Sequence, residues 1–390
     1  MVDTARIDQV LADAVNSGQV PGVTAAVANA GGQVYGGAFG KRARGGSVAM
    51  TQDTVFRIAS MTKAITGAAC MQMVEQGKLG LDQPAGEIMP SLANPQVLEG
   101  FDDAGKPRLR PARGTITLRK LLTHTAGFVY DTWNRDMNRY AQQTGLPAAR
   151  TGKLAALSAP LGFDPGERWE YGINIDIAGR MVEIVSGQNL EAYLQEHVLR
   201  PLGMHDTGFV LRPAWKDRLA TLHNREADGS LVPFDAPPPA ESPEFYAGGG
   251  GLFSTSNDYL LFLQALLRGG EGNGTQVLKP ETVALMSQNS MGALDVLPMP
   301  TFNPRMSNPV DLFPGMVKKW GLTFLINTQD HPGGRAAGSL AWAGINNTYY
   351  WLDPKQQIAG VLMTQVLPFA DKTVLDLLDR FEKAVYVATT

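Results

Sequence analysis

The sequence has one cysteine, Cys70, in 390 residues, which excludes an internal disulfide and a zinc cluster built on cysteines. Charged residues are scarce, at 18%, and 34 basic residues nearly balance 37 acidic ones, so neither a nucleic acid nor an anionic membrane is an expected partner. Apolar runs end well before the roughly 18 positions that a membrane span requires. The chain also begins without a basic segment followed by an apolar one. We therefore expect a cytoplasmic globular protein with no membrane span.

The distribution of apolar residues predicts the fold class. The chain is longer than the roughly 100–200 residues of one ordinary core, so two structural regions are expected. Helical spacing near both termini, with strand-like runs in 23–58 and 321–365, predicts one sheet assembled from both chain ends and flanked by helices. Residues 81–250 predict a mostly helical inserted domain. The expected class is α+β, with 1–80 and 251–390 forming the sheet domain.

The segment Ser60-Met61-Thr62-Lys63 is the first candidate for chemistry. Residues three apart share a helix face, so the Lys63 amine can reach the Ser60 hydroxyl. A serine that opens a helix lies where the macrodipole favours developing negative charge, and a partly desolvated lysine can be its base. Chance is the competing explanation. Catalysis is favoured because this Ser-x-x-Lys spacing occurs once, after a strand-like run and at the start of an apolar helix.

Two further segments can supply partners for that serine. Tyr171 lies in Trp169–Asp176, and a tyrosine near a lysine ammonium is expected to shift toward phenolate, so that the two groups relay a proton. The alternative is a half-buried tyrosine at a loop–helix junction. In Gly338–Ile345, glycines around a strand indicate close approach, and a backbone N–H there can oppose that of Ser60 in an oxyanion hole. A strand of small residues that is merely tightly packed explains this segment equally well.

Taken together, these and other motifs resemble a known superfamily. The chain is similar to the serine β-lactamases and penicillin-binding proteins of the class C-like branch, and most similar to the family VIII carboxylesterases. The ordered motifs that carry this resemblance are Ser60-x-x-Lys63, Leu121-Leu122-Thr123-His124-Thr125-Ala126-Gly127, Trp169-x-Tyr171, Pro201-Leu202-Gly203-Met204-x-Asp206-Thr207, Gly248-Gly249-Gly250-Gly251-Leu252 and Trp342-x-Gly344. The resemblance implies a β-lactamase-like fold with an antiparallel sheet and an active site between the two domains.

The resemblance also implies roles for individual residues. Ser60 would be the acylated nucleophile, with Lys63 helping to remove its proton. Tyr171 would activate Ser60, pass a proton to the leaving alcohol and later activate water. The backbone N–H groups of Ser60 and Ile345 would form the oxyanion hole. The remaining residues implied at the site are expected to contact substrate, namely Trp342, Gly344 and Asn174.

Departures from the superfamily pattern point to the substrate. Trp342 stands where a β-lactamase of this branch has the lysine of its Lys-Thr-Gly motif, so the cation that holds a substrate carboxylate is missing there. The asparagine expected two places after Tyr171 is Ile173, and Asn174 follows one place later. A tryptophan supplies apolar surface, which suits neutral esters. The resemblance therefore implies a serine carboxylesterase that cleaves small neutral carboxylic esters, with no metal and no organic cofactor.

Other functions are weighed against this interpretation. A β-lactamase, a D-Ala carboxypeptidase or an amide hydrolase could use the same scaffold, and a binding or sensor domain could keep the fold without turnover. A Ser-His-Asp enzyme of the α/β-hydrolase type is disfavoured because no serine lies in Gly-x-Ser-x-Gly. The five histidines lack metal-ligand spacing. We expect His124 to support a loop by hydrogen bonding and Cys70 to be a core residue.

Overall fold

The computed structural model describes residues 4–389, and its largest feature is a seven-stranded antiparallel sheet. The strands in chain order are β1 (Gly22–Asn29), β2 (Gly32–Gly40), β3 (Phe56–Arg57), β4 (Gln96–Phe101), β5 (Pro107–Pro111), β6 (His223–Arg225), β7 (Leu231–Pro233), β8 (Phe253–Ser254), β9 (Glu271–Gly272), β10 (Thr275–Gln276), β11 (Lys318–Trp320), β12 (Leu325–Asn327), β13 (Leu340–Gly344), β14 (Thr348–Asp353), β15 (Ile358–Met363) and β16 (Val366–Leu367). The large sheet has the order β11-β12-β13-β14-β15-β1-β2, so an N-terminal hairpin extends five C-terminal strands. The predicted α+β fold with a sheet from both chain ends is confirmed.

Helices cover this sheet and fill the middle of the chain. They are α1 (Ala5–Asn16), α2 (Thr62–Glu75), α3 (Leu118–Leu122), α4 (Arg135–Thr144), α5 (Asn174–Ser186), α6 (Leu190–Leu194), α7 (Arg200–Leu202), α8 (Pro213–Lys216), α9 (Ser256–Leu267), α10 (Pro280–Met286) and α11 (Lys372–Thr389). The first and last helices pack on each other, and α9 packs on β1 and β15. Strands β1, β14 and β15 are buried along almost their whole length, which shows that both faces of the sheet are covered.

The helix α2 is the structural centre of the molecule. Every residue from Thr62 to Met73 is buried, so α2 is enclosed on all sides instead of presenting one apolar stripe. It packs against α5, which approaches it from the middle of the chain. A polar group on the first turn of α2 is therefore removed from water. No helix within residues 4–389 combines the length and apolar character that a membrane crossing needs.

Several local elements differ from expectation. The strand-like run at 321–327 forms a strand only over Leu325–Asn327, because Trp320 ends β11 and the intervening residues turn between the two strands. The helix expected at 190–198 begins as α6 and continues as a π-helical turn over Gln195–Leu199. Sequence patterns did not predict the hairpin of β4 and β5 or the helix α4. The residues of α4 are mostly polar, and Met137 is the one that is buried. The domain boundaries at residues 80 and 250 stay a prediction.

Candidate active site

Ser60 lies in a single 3-10 turn, Ala59–Met61, that joins β3 to α2. Ala59 has a φ of 45°, a left-handed conformation that costs a residue with a Cβ atom about 1 kcal/mol. The pairing of β3 with β8 and a 3.2 Å hydrogen bond from the Ile58 N–H to the Leu252 carbonyl fix the chain that enters this turn. The strained turn places Ser60 at the wall of a cavity, before the fully buried part of α2 begins.

Lys63 is the nearest base to Ser60. Its side chain has no exposed surface, and its Nζ atom donates to Ser60 Oγ at 3.0 Å, to the Gly249 carbonyl at 2.6 Å and to the Tyr130 hydroxyl at 3.2 Å. Burial lowers the pKa of Lys63 to about 7, while the negative charge of Asp176 acts in the opposite direction. Near neutral pH a large fraction of Lys63 is therefore the neutral amine that can accept a proton from Ser60.

Tyr171 completes the predicted trio. Its hydroxyl is hydrogen-bonded to Ser60 and accepts the indole N–H of Trp342 at 2.9 Å, and its ring lies 4.7 Å from Lys63 Nζ. The side chain is 2% exposed and packs against the rings of His124 and Trp133. The structure thus brings Ser60, Lys63 and Tyr171 together from segments more than a hundred residues apart.

The protonation of Tyr171 differs from the sequence-based expectation. We expected a shift toward phenolate, but burial raises the pKa of Tyr171 above its usual value, and the hydrogen bonds from Ser60 and Trp342 offset only part of that rise. The group whose pKa moves toward neutrality is Lys63. Tyr171 is therefore a phenol at neutral pH, suited to donating a proton, and Lys63 is the better base.

Two residues that the sequence analysis did not select also contact Lys63 or its neighbours. Tyr130 accepts the Lys63 ammonium at 3.2 Å and donates to Asp176 Oδ2 at 3.5 Å. Asp176 is 2% exposed, and its Oδ1 atom accepts the Gly249 N–H at 2.9 Å. Burial raises the pKa of Asp176, while the nearby Lys63 charge and the Gly249 N–H lower it. A carboxylate, a phenol and a backbone carbonyl thus surround the amine.

A sequence signal for these residues existed but was weak. Asp176 lies in the first turn of α5, where an acidic residue is usually explained by the helix dipole. Gly249 passes so close to that carboxylate that a Cβ atom on Gly249 would collide with Asp176 Oδ2. The glycine run at 248–251 was the visible sign of this close approach, but it did not indicate which side chain required the space.

The predicted residues on β13 form the other side of the site. A Cβ atom on Gly344 would collide with the Ile58 carbonyl, so this glycine lets β13 approach the chain that leads to Ser60. Ile345 and Ser60 line the same cavity. Trp342 is 4% exposed and directs its indole N–H to Tyr171, and it is not among the residues that line that cavity. The tryptophan therefore contacts the proposed proton donor.

Asn174 does not reach the cavity either. It is completely buried, and its amide donates to the Phe128 carbonyl at 2.9 Å and lies 3.1 Å from His124 Nδ1. The Gly172 N–H also donates to His124 Nδ1, at 3.4 Å. Burial lowers the pKa of His124 well below its usual value, so its ring is neutral and accepts these bonds. Asn174 and His124 hold the loop that carries Tyr171, as we expected for His124.

The cavity beside Ser60 has a volume of about 220 Å³. Its wall is mostly apolar and comes largely from residues 129–159, including Val129, Met137 and Leu146. The charged side chains along it are Asp131, Arg150 and Asp176. Within residues 4–389, no cluster of three or more His, Cys, Asp or Glu side chains is arranged to hold a metal ion. The site offers a nucleophile, a base and an acid next to an apolar chamber.

The chain is similar in sequence to a known protein family and to two named enzymes. A family model described as Beta-lactamase matches residues 7–383. The chain is 36% identical over 350 residues to a monacolin J acid methylbutanoyltransferase of Aspergillus terreus, covering 86% of this chain and 82% of that protein. It is 32% identical over 396 residues to a lovastatin esterase of Penicillium rubens, covering 97% of this chain and 98% of that protein.

A solved structure agrees over the whole fold. The unliganded simvastatin synthase (LovD) from Aspergillus terreus superposes with a TM-score of 0.84 at 34% identity, covering 98% of this chain and 97% of that chain. The similarity therefore includes both the sheet and the central helical region.

Proposed function

The chain belongs to the beta-lactamase family, and from that premise we propose that it moves an acyl group from a neutral ester to an acceptor alcohol through an acyl-enzyme on Ser60. The predicted superfamily and the predicted serine enzyme are confirmed at this level. One observation carries the proposal: Lys63 Nζ lies 3.0 Å from Ser60 Oγ, in surroundings that lower the pKa of Lys63 to about 7.

Acylation begins with the transfer of the Ser60 proton to the Lys63 amine. The Ser60 oxygen then attacks the carbonyl carbon of the donor, forming a tetrahedral intermediate. We assign its oxyanion to the backbone N–H groups of Ser60 and Ile345, because both residues line the cavity and Gly344 allows β13 to approach Ser60. Two such donors stabilise charge that develops only in the transition state, so they increase the rate of the chemical step.

Collapse of the intermediate requires an acid that protonates the leaving oxygen. Tyr171 is protonated and hydrogen-bonded to Ser60, so its phenol can protonate the leaving group as the bond to the acyl carbon breaks. The Lys63 ammonium then returns a proton to Tyr171, and the amine is neutral again. In the second half of the cycle the acceptor hydroxyl loses its proton to Lys63 and attacks the acyl carbon. As the bond from the acyl carbon to the Ser60 oxygen breaks, the Lys63 ammonium gives that proton to Ser60, 3.0 Å away, and both groups return to their starting state.

The names of the relatives favour transfer of the acyl group to an acceptor molecule. The Aspergillus terreus protein is named as a methylbutanoyltransferase that acts on an acid, monacolin J acid. The apolar cavity beside Ser60 is consistent with a small or medium acyl group that packs against alkyl side chains. A cavity filled by such a group leaves little room for water next to the acyl carbon, which favours transfer over hydrolysis.

Hydrolysis of small neutral carboxylic esters, in the manner of a family VIII carboxylesterase, is the second candidate. The lovastatin esterase supports it, because the alignment covers nearly the whole of both chains. A β-lactamase, D-Ala carboxypeptidase or amide hydrolase is less well supported, because Trp342 replaces the cation that would hold a substrate carboxylate on β13 and donates to Tyr171 instead. A binding or sensor domain without turnover is less well supported, because the relatives matched over most of the chain are named as a transferase and an esterase.

The test combines a mass measurement with turnover. The protein is incubated with p-nitrophenyl butyrate and 1-pentanol, and p-nitrophenolate, butyrate and pentyl butyrate are measured together. We expect an increase in intact mass by one butyryl group, mapped to the peptide that contains Ser60, and formation of pentyl butyrate. Ser60→Ala is the matched control and should show neither adduct nor product.

Each alternative has its own outcome in this experiment. Butyrate without pentyl butyrate would support the esterase. Rapid nitrocefin hydrolysis with negligible ester turnover would support a β-lactamase. Absence of any adduct on Ser60, with full activity in Ser60→Ala, would refute acyl-enzyme chemistry at this site.

A further inference from the structure

We propose that Arg150 binds a carboxylate on the acceptor alcohol, so that the substrate class is an anionic alcohol rather than a neutral one. This inference rests on the proposed acyl transfer. It specifies that the acceptor is negatively charged and that it enters from the side of the cavity where Arg150 lies. It follows from three features of the cavity: the position of Arg150, its lack of an ion-pair partner, and the loss of the cation on β13.

Arg150 is the one cationic side chain among the described residues that line the cavity beside Ser60. It lies in the short 3-10 turn Ala149–Thr151 and is exposed to solvent. Within residues 4–389 it forms no ion pair and no side-chain hydrogen bond, in contrast to Arg110, which is bidentate to Asp164. An arginine without a partner at a binding cavity keeps its planar set of donors available for a carboxylate.

The place where this family of folds would carry a cation is apolar in this chain. Trp342 occupies that position on β13, and its N–H is committed to Tyr171 at 2.9 Å. Lys63 cannot substitute, because it is completely buried and already contacts Ser60, Tyr130 and the Gly249 carbonyl. In this chain the carboxylate of a substrate would therefore bind at the cavity wall that carries Arg150, and not beside β13 as in a β-lactamase.

The position of Arg150 indicates which substrate meets it. Arg150 and Ala247 line both the cavity beside Ser60 and a second, adjoining cavity that contains Phe209 and Tyr246. Because Arg150 is exposed while the apolar wall behind it is largely buried, it lies toward solvent and the acyl group fits deeper. The acceptor enters after the acyl-enzyme has formed, when the acyl group already occupies the deeper part of the cavity, so the acceptor is the substrate that lies beside Arg150.

The expected size of the effect is modest. Arg150 is solvated, and Asp131 lines the same cavity with a charge that repels a carboxylate. Exposed ion pairs contribute up to about 1 kcal/mol, which corresponds to about a fivefold change in preference. Added salt should reduce such a preference, because the Debye length falls to about 3 Å at 1 M.

The experiment uses two acceptors that differ in one group. The donor is p-nitrophenyl butyrate, and the acceptors are 5-hydroxypentanoate and 1-pentanol, in which a carboxylate replaces a methyl group. The ratio of the two ester products is measured by chromatography in a mixture of equal concentrations. We expect the intact protein to favour the anionic acceptor. In Arg150→Gln the ratio of anionic to neutral product should be about fivefold lower, and Arg150→Lys should retain part of the preference.

The control is Arg6→Gln, which removes one positive charge from an exposed position on α1 and should leave the ratio unchanged. An unaltered ratio in Arg150→Gln overturns the inference, as does the absence of transfer to either alcohol. A second comparison uses two donors that differ in a carboxylate, mono-p-nitrophenyl glutarate and p-nitrophenyl valerate. If Arg150→Gln changes only the preference between these two donors, Arg150 binds the acyl group and the acceptor role is overturned. If the ratio is unaltered or Arg150 is assigned to the acyl group, ester formation and a butyryl adduct on Ser60 leave the proposed function intact. An adduct without transfer to either alcohol supports the esterase instead, and the absence of that adduct refutes acyl-enzyme chemistry at Ser60.

Discussion

The substitution Asp176→Asn is expected to move the acidic limb of the pH–rate profile to lower pH. Burial lowers the pKa of Lys63 to about 7, and Asp176 is the neighbour whose charge opposes that decrease. Neutralising Asp176 leaves only the effect of burial, so the pKa of Lys63 falls further. Asparagine is the appropriate replacement because its amide oxygen can still accept the Gly249 N–H, which now bonds Asp176 Oδ1 at 2.9 Å.

The magnitude follows from the distance between the two charges. The Tyr130 hydroxyl lies 3.2 Å from Lys63 Nζ and 3.5 Å from Asp176 Oδ2, so one oxygen atom separates them. Two unit charges about 6 Å apart interact by about 3 kcal/mol at an effective dielectric constant of about 20. Each pKa unit corresponds to about 1.4 kcal/mol. Allowing for partial relaxation, we expect a downward shift of about one to two pH units.

The assay measures kcat/KM for p-nitrophenyl butyrate as a function of pH. The pH dependence of this ratio reports the pKa values of groups in the free enzyme. The rate should rise as Lys63 loses its proton, with a midpoint near pH 7 in the unmodified protein and about pH 5–6 in Asp176→Asn. Tyr130→Phe is the matched control, since it removes the bridging hydroxyl but leaves both charges, and its midpoint should move much less. A midpoint for Asp176→Asn that stays in place or rises, in a variant with unchanged thermal stability, would refute Lys63 as the titrating base.

Three other substitutions test separate contacts. Lys63→Ala should lower kcat/KM for p-nitrophenyl butyrate by about 10²-fold or more, and near-normal rates would contradict its role as the base. Trp342→Phe removes the N–H that Tyr171 accepts at 2.9 Å, so we expect about a tenfold lower rate in the same assay; an undiminished rate would show that this bond does not position the phenol. Gly249→Ala places a methyl group against the Asp176 carboxylate and should lower the free energy of unfolding by about 1–3 kcal/mol in a urea titration, whereas a stability equal to that of the parent would mean that the loop shifts freely.

Local features of this chain could be predicted because they depend on neighbouring residues. Short strand-like runs indicated the strands that became β1, β2 and β14. Apolar residues at helical spacing indicated the helix α2, since side-chain spacing along a helix is set by backbone geometry. The distance between Ser60 and Lys63 follows from the same rule, because three positions on the first turn of a helix bring two side chains to one face.

The protonation states and the exact partners depended on packing between distant segments. Sequence patterns did not indicate that Asp176 and Gly249 would enclose Lys63, nor that Trp342 would donate to Tyr171. Burial reversed the expected shift of the Tyr171 pKa, because removal of water disfavours a phenolate more than its hydrogen bonds favour it.

Residue type and spacing therefore predicted the candidate nucleophile, its nearest amine and the segments of the sheet. Only the tertiary structure decided which groups surround Ser60, how burial shifts the pKa values of Lys63 and Tyr171, and where the cationic side chain of Arg150 lines the cavity. The physical reason is that a pKa and a long-range contact are properties of the whole surroundings of a group, and those surroundings exist only after the two ends and the middle of the chain have packed together.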